Sequence, residues 1–179
     1  AGDTLVMRTG TWTDAEIVLS GIGTAQAPVV LRAEQQGQVI LTGKSSLTMT
    51  GSYLETNGLV FQGTYTGTGA IVTFKTNSSH CRLTNTAILS YNLTDVAVNT
   101  KWVSLYGQDH TVDHCLFEGK SNMGTLLVVW LTANQEARHL IAYNRFGFRT
   151  SLTDSEGNTL NGQEIIRIGD SSSCMTNAK

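Results

Sequence analysis

Hydrophobic and polar residues recur along this chain at a fixed interval. Short apolar runs, of which "LETNGLVF" (54–61) and "VDHCLFEG" (112–119) are examples, alternate with polar, glycine-containing segments. Aligning four such runs produces two apolar columns whose consecutive members stand 29 residues apart. The first column holds Leu54, Leu83, Val112 and Ile141, and the second holds Leu59, Ile88, Phe117 and Phe146. This interval predicts a structural repeat.

The composition of the repeat indicates which fold it builds. A single proline, 18 glycines and abundant Thr, Ser, Asn and Val favour strands and turns over helices. Coils of this kind stack in a right-handed parallel β-helix, where inward side chains form apolar ladders. A propeller blade would be longer, at roughly 40 residues. We therefore predict an all-β fold, a right-handed parallel β-helix of about five to seven coils, as a single domain over residues 1–179.

Composition and charge exclude several classes of function. The chain has 179 residues, is 40% hydrophobic and contains no apolar run long enough to span a membrane, so we expect no membrane partner. The net charge is -2 and the basic residues are scattered, which argues against nucleic acid as a partner. Cys81, Cys115 and Cys174 are too far apart for a disulfide scaffold or zinc site, and we interpret them as small core residues.

Four segments carry a resemblance to a known family. These are the opening "GDTLVMRTGTWTDAEIVLSG", then "LETNGLVFQG", "HTVDHCLFEGKSNMG" and "NGQEIIRIG". In this order they resemble the N-terminal part of polysaccharide lyase family 6, the alginate lyases and chondroitinase B. The resemblance covers essentially the whole chain, and its most specific parts are "DHCLFEGK" and "NGQEIIRIG". The form "NGQE" before "IRIG" is closer to the alginate-cleaving branch than to the dermatan-cleaving one.

The resemblance implies an enzyme that binds an anionic uronate polysaccharide in a groove along the β-helix and cleaves it by β-elimination. The implied substrate is alginate, with dermatan sulfate as the weaker alternative, and the implied location is secreted or periplasmic in a bacterium. In this family Ca2+ neutralises the carboxylate beside the C5 proton, because a hard cation prefers oxygen ligands. A lysine acts as general base and an arginine assists as acid.

Residue by residue, the resemblance transfers only part of that site. Asn161 matches the asparagine that binds calcium, and Arg167 matches an arginine that contacts substrate. The catalytic lysine, the catalytic arginine and two calcium-binding glutamates match no position up to Lys179. We therefore expect the chain to be the N-terminal part of a longer β-helix, whose remaining coils are its partners in the site.

Lys120, in "FEGKSN", follows an apolar run at the point where a groove residue could lie. It is predicted to contact substrate, and the alternative is a solvated surface position. Glu164 offers a carboxylate but matches no calcium ligand of the family. Without the resemblance, Asn161 would be interpreted as a turn residue and Arg167 as part of a solvated strand face.

Two alternatives concern larger features. His80, His110 and His139 lie just before the first apolar column, and their spacing suggests either a metal-binding ladder or corner residues stacked by the repeat. We favour stacked corner residues, since equivalent positions of successive coils approach one another by geometry alone. For function, the alternative to a lyase is a non-catalytic β-solenoid that binds polysaccharide or serves a structural role.

Overall fold

The computed structural model describes residues 1–132, 135–160 and 162–169, and the regular structure in these residues consists of β-strands. Each coil contains three strands. The first three coils comprise β1 (Thr4–Met7), β2 (Gly10–Thr13), β3 (Glu16–Ile22), β4 (Val29–Ala33), β5 (Val39–Gly43), β6 (Ser46–Ser52), β7 (Leu54–Asn57), β8 (Leu59–Tyr65) and β9 (Val72–Phe74). The next three comprise β10 (Arg82–Thr84), β11 (Ala87–Asn92), β12 (Val103–Leu105), β13 (Thr111–Asp113), β14 (Leu116–Glu118), β15 (Leu127–Val129), β16 (Leu140–Ala142), β17 (Arg145–Phe146) and β18 (Ile166–Ile168).

The strands form three parallel sheets. The first sheet has the order β1-β4-β7-β10-β13-β16, the second β2-β5-β8-β11-β14-β17 and the third β3-β6-β9-β12-β15-β18. Every strand therefore pairs in parallel with the strand one coil away, so the chain winds through the three sheets in turn. This arrangement confirms the predicted parallel β-helix.

From the second coil onward, the corner between the first and second sheets contains one residue per coil in the left-handed region. Asn85, His114 and Tyr143 occupy this corner in the last three coils, with φ of 50°, 52° and 55°. A non-glycine residue rarely adopts positive φ, so the repetition shows that the corner itself demands it. The His114 ring stacks on the Tyr143 ring of the next coil, with centroids 5.2 Å apart.

Inward side chains of successive coils stack into apolar ladders. One ladder of the second sheet contains Leu41, Phe61, Ile88, Phe117 and Phe146. The first four of these side chains are fully or almost fully buried, and the Phe117 and Phe146 rings stack with centroids 5.3 Å apart. Burying each such side chain stabilises the fold by about 1.5–3 kcal/mol, so the ladders hold the coils together.

Part of the predicted register is wrong. Leu83 pairs with Thr56 rather than with Leu54, and the same two-residue displacement applies to Leu59, because Phe61 is the partner of Ile88. Side chains alternate between the two faces of a strand, so a displacement of two residues leaves both positions facing inward. In the first and second sheets the interval of 29 residues holds from the fourth coil onward, where Leu83 pairs with Val112 and Ile88 with Phe117.

Two remaining predictions concern cysteines and membranes. Cys81 and Cys115 are buried and free, as expected of core residues, whereas Cys174 lies outside the described residues. Burial raises the pKa of the Cys115 thiol to about 12. Within the described ranges, no helix has the length and apolar character needed to cross a membrane.

Candidate functional site

Arg167 lies on the outward face of the third sheet. Its neighbours Ile166 and Ile168 pair with Leu127 and Val129 and continue two inward ladders, so the side chain between them points away from the core. Arg167 itself pairs with Val128 and is partly buried. Each step along this outward ladder is one strand spacing, about 4.8 Å.

A second outward ladder runs beside the first and contains two aromatic rings. The register that continues past the ends of β9, β12, β15 and β18 aligns Lys75, Tyr106, Trp130 and Gly169. The rings of Tyr106 and Trp130 are stacked, with centroids 5.5 Å apart and an angle of 9° between their planes. Gly169 has no side chain, so the ladder places no further ring or cation against the far side of Trp130.

These outward ladders border an open groove, which we call the third-sheet groove. Its volume is about 490 Å3, within the range of ligand-binding clefts. Two lysines line it and, among the described residues, no aspartate or glutamate does. The lining residues that matter for its chemistry are Thr73, Lys75, Lys101, Ser104, Tyr106 and Trp130. Cations and flat aromatic rings together suit an anionic ligand built from rings.

Lys120 does not lie on this groove or on any solvated surface. Its side chain is fully buried, so the expectation of an exposed position, whether in the groove or facing solvent, is wrong. The ammonium group donates a hydrogen bond to Asn122 Oδ1 at 2.9 Å and lies 5.5 Å from the centre of the Trp102 ring. An amide oxygen and an aromatic face are the partners that make burial of this cation tolerable.

Burial, and after it the nearby cations Arg149 and Lys101, together lower the pKa of Lys120 to about 7. Arg149 pairs with Lys120 through a single parallel β-bridge. The Arg149 guanidinium donates hydrogen bonds to the carbonyl oxygens of Asn122, Gly124 and Gln163 at 2.8–3.2 Å. Lys120 and Arg149 therefore tie successive coils together from inside the corner, as structural cations.

Asn161, the predicted calcium ligand, lies outside the described residues, but its neighbours are held firmly. The Gln163 side chain accepts a hydrogen bond from Leu152 N–H at 2.7 Å and donates to the carbonyl oxygens of Leu152 and Leu160 at 2.8 and 2.7 Å. Arg149 binds the Gln163 carbonyl at 2.8 Å. Sequence reasoning missed the role of Gln163, because nothing in "LNGQE" distinguishes an anchoring amide from a solvated one.

The described residues contain no group of three or more His, Cys, Asp or Glu side chains that could hold a metal ion. Glu164 accepts a hydrogen bond from the Thr125 hydroxyl at 3.1 Å, so its carboxylate already has a protein partner. The predicted calcium site therefore does not draw a carboxylate cluster from this part of the chain, and it stays a prediction centred on Asn161.

Two of the three histidines form a stack between coils. The rings of His110 and His139 are 5.1 Å apart with an angle of 6° between their planes. The N–H of Cys81 donates to His110 Nδ1, and the N–H of His110 donates to His139 Nδ1, both at 3.1 Å. His80 lies at the same corner, one register position earlier, and stacks instead on Tyr53 of the preceding coil. The structural interpretation of His110 and His139 is confirmed, and the rings form hydrogen bonds that stabilise the corners.

The described residues thus form a parallel β-helix with a groove along one sheet that carries two lysines and a stacked aromatic pair. The sequence profile of the chondroitinase B family matches residues 1–179. The chain therefore belongs to this family, polysaccharide lyase family 6.

Solved structures of similar proteins agree with this family assignment. The PL6 family alginate lyase AlyGC is 36% identical with a TM-score of 0.89, and the match covers 96% of this chain and 24% of that one. A mannuronic acid specific family 6 lyase from human gut microbiota is 34% identical, with a TM-score of 0.85, covering 96% and 40%. A PL6 family polysaccharide lyase from Pseudopedobacter saltans is 32% identical, with a TM-score of 0.82, covering 94% and 37%. No curated protein sequence matched significantly. The chain thus spans between a quarter and two-fifths of the length of these lyases.

Proposed function

We propose that this chain forms the N-terminal coils of a lyase that cleaves a uronate polymer by β-elimination, with alginate as substrate in preference to dermatan sulfate. The observation that carries the proposal is the third-sheet groove, whose cations have no carboxylate among its described lining residues, on a family 6 solenoid. Two further structural neighbours are alginate lyases solved with a trisaccharide and with G6. An anionic polymer complements such a groove electrostatically.

The chemical difficulty of β-elimination is the weak acidity of the C5 proton beside a carboxylate. Abstraction places negative charge on that carboxylate, so a cation that binds the charged form more strongly than the ground state accelerates the step. Arg167 is suited to bind a sugar carboxylate through two parallel N–H···O bonds from the outward face. Its role in this proposal is to bind and orient the uronate, while the general base and acid belong to further coils.

The proposal includes Ca2+ as a cofactor with Asn161 as one of its ligands. When bound, calcium neutralises the carboxylate of the reacting uronate. The side chain of Asn161 would contribute a neutral amide oxygen to such a site.

The last described coil supports the inclusion of further coils. Among the described residues, the last member of one inward ladder of the third sheet is Ile166, whose side chain is 40% exposed. In the preceding coil the equivalent side chain, Leu127, is buried. Ladders of this kind are stabilised only when another coil covers them. We therefore propose that additional coils of the same protein pack here and supply the rest of the site.

A polymeric substrate also favours a location outside the bacterial cytoplasm, secreted or periplasmic. The experiment that tests the function is an assay of the intact protein on alginate and on dermatan sulfate, following the ultraviolet absorbance of the unsaturated uronate product. We expect turnover of alginate with a much lower kcat/KM for dermatan sulfate. Binding of alginate without any turnover would favour the non-catalytic binding module instead.

A further inference from the structure

The third-sheet groove contains two lysines and an aromatic pair that the role of Arg167 does not use. Lys75, on the ladder that continues β9, is exposed, and Lys101, which precedes β12 and aligns with Ala70, is partly buried. Neither lysine forms an ion pair with any described residue. Surface cations with no acidic partner are free to bind an anionic ligand.

Between Lys75 and Arg167, in the order of the strands of the third sheet, lies the stacked pair of Tyr106 and Trp130. Stacking fixes the two rings relative to each other, because each restricts the movement of the other at a centroid distance of 5.5 Å. The C–H faces of a sugar ring are apolar and pack on aromatic surface, whereas its hydroxyl and carboxylate groups extend sideways to polar partners. In the groove those partners include Ser104 and Thr73.

Lys75 and Arg167 lie far apart along the third sheet. Lys75 continues β9, and Arg167 lies on β18, three strands away in the third sheet. Three strand spacings amount to roughly 14 Å, which is longer than one sugar ring. A uronate whose carboxylate contacts Lys75 is therefore a different residue of the polymer from the uronate that Arg167 holds.

We infer that Lys75, Lys101, Tyr106 and Trp130 form an accessory subsite that binds uronate residues of the same polymer away from the bond being cleaved. The inference rests on the proposed function, since it assigns the substrate chain a path along the third-sheet groove. The two lysines bind carboxylates, and the aromatic pair supports a sugar ring between Lys75 and Arg167. Binding energy gained there increases the preference for long chains over short ones.

The test compares a mannuronate hexasaccharide with a mannuronate trisaccharide as substrates of the intact enzyme. For each protein we would measure kcat/KM on both oligosaccharides and take the ratio of long to short. Lys75→Gln should lower this ratio about threefold to tenfold, since one charge-assisted hydrogen bond contributes about 1 kcal/mol or slightly more. Lys75→Arg keeps the charge and should restore most of the ratio.

Arg145→Gln is the matched control. Arg145 is exposed on β17 in the second sheet, so this variant removes one cation from a different face of the solenoid, and the ratio should not change. If Lys75→Gln leaves the ratio unchanged, or lowers it no more than Arg145→Gln does, the subsite does not exist. Failure of the proposed function is separate, because the unaltered enzyme would then cleave neither oligosaccharide.

A second measurement tests the aromatic part. Tyr106→Leu keeps an apolar side chain but removes the flat ring, and it should lower the same ratio at both low and high salt. The effect of Lys75→Gln should instead shrink as salt increases, because salt screens interactions between exposed charges. An equal salt dependence for the two variants would overturn the assignment of stacking to Tyr106 and charge to Lys75.

Discussion

The His110 ring stacks on the His139 ring of the next coil, and the Nδ1 atom of each accepts a backbone N–H from the coil before. Both hydrogen bonds require an unprotonated Nδ1, so the imidazole rings of His110 and His139 are neutral in the folded protein. Burial lowers the pKa of His110 to about 3 and that of His139 to about 4, against 6.5 as the ordinary value. Protonation of either ring at Nδ1 would break the hydrogen bond that this atom accepts from the preceding coil.

This pair predicts a loss of stability in acid. Between pH 6.5 and the lowered pKa values the unfolded chain binds more protons than the folded one, so the free energy of unfolding falls as pH falls. His110→Gln removes one of the two titrations. Urea unfolding at pH 7 and pH 4.5 should show a smaller difference for this variant, by on the order of 1–2 kcal/mol. An unchanged difference would mean that His110 does not titrate in this range.

The buried Lys120 predicts that stability also changes in alkaline solution. Its folded pKa of about 7 lies below the ordinary 10.5, so the unfolded chain binds more protons between these values. Stability should therefore rise with pH from about 7 toward 10, by on the order of 1 kcal/mol per pH unit. Lys120→Met fills a similar volume without charge and should abolish this rise. Denaturant unfolding across the range measures it, and an equal rise in both proteins would contradict the burial of a titrating Lys120.

The outward position of Arg167 predicts that its substitution weakens substrate binding. Arg167→Ala in the intact enzyme should raise KM for alginate about tenfold or more and change kcat less, because a charge-assisted bidentate contact contributes about 1.5–3 kcal/mol. Arg167→Lys should recover only part of the loss, since an ammonium group does not form the bidentate pair. Arg145→Ala provides the comparison from another sheet. A fall in kcat with unchanged KM would show that Arg167 acts in the chemical step instead.

The proposed role of Asn161 predicts that its substitution weakens calcium binding. Asn161→Ala in the intact enzyme should weaken calcium binding about tenfold, as expected when one neutral oxygen ligand is removed. Isothermal titration with calcium measures this directly, and excess calcium should restore part of the activity. The neighbouring Gln163→Glu variant, which keeps the side-chain length, tests whether anchoring matters separately. Unchanged calcium affinity of Asn161→Ala would show that Asn161 is not a ligand.

The fold followed from the sequence because the apolar repeat is a direct consequence of stacking. Each coil must present an inward residue above the one before, so ladders such as Leu83 and Val112 recur in the sequence. The details of register did not follow, because residues two apart face the same way. Leu54 and Thr56 are both inward, and only the backbone hydrogen bonds decide which of them meets Leu83.

The groove was harder to foresee because insertions change the interval within the third sheet. Trp130 follows Tyr106 by 24 residues rather than 29, so the two aromatic rings do not align in a search at the dominant period. A signal was nevertheless present, since each ring directly follows a short apolar run, "WVSL" or "LLVV". Comparing the ends of apolar runs, instead of fixed intervals, would have brought the two residues together.

Lys120 could not be placed from sequence for a different reason. A lysine after glycine in "FEGKSN" has the local pattern of an exposed turn, and the partners that permit its burial come from elsewhere. Trp102 belongs to the preceding coil and Arg149 to the following one. Burial of a charged side chain is a tertiary property, since it depends on partners that no local pattern contains.

The measurement that tests the central claim most directly is the mass of the products released from alginate by the intact protein. Elimination adds no water across the cleaved bond and leaves an unsaturated uronate at the new non-reducing end. The account predicts that the fragment carrying the new non-reducing end is lighter by one water than the corresponding hydrolysis product, together with ultraviolet absorbance from the new double bond. Products that are all saturated, or alginate recovered uncleaved by a protein that binds it, would contradict the assignment as a β-eliminating lyase.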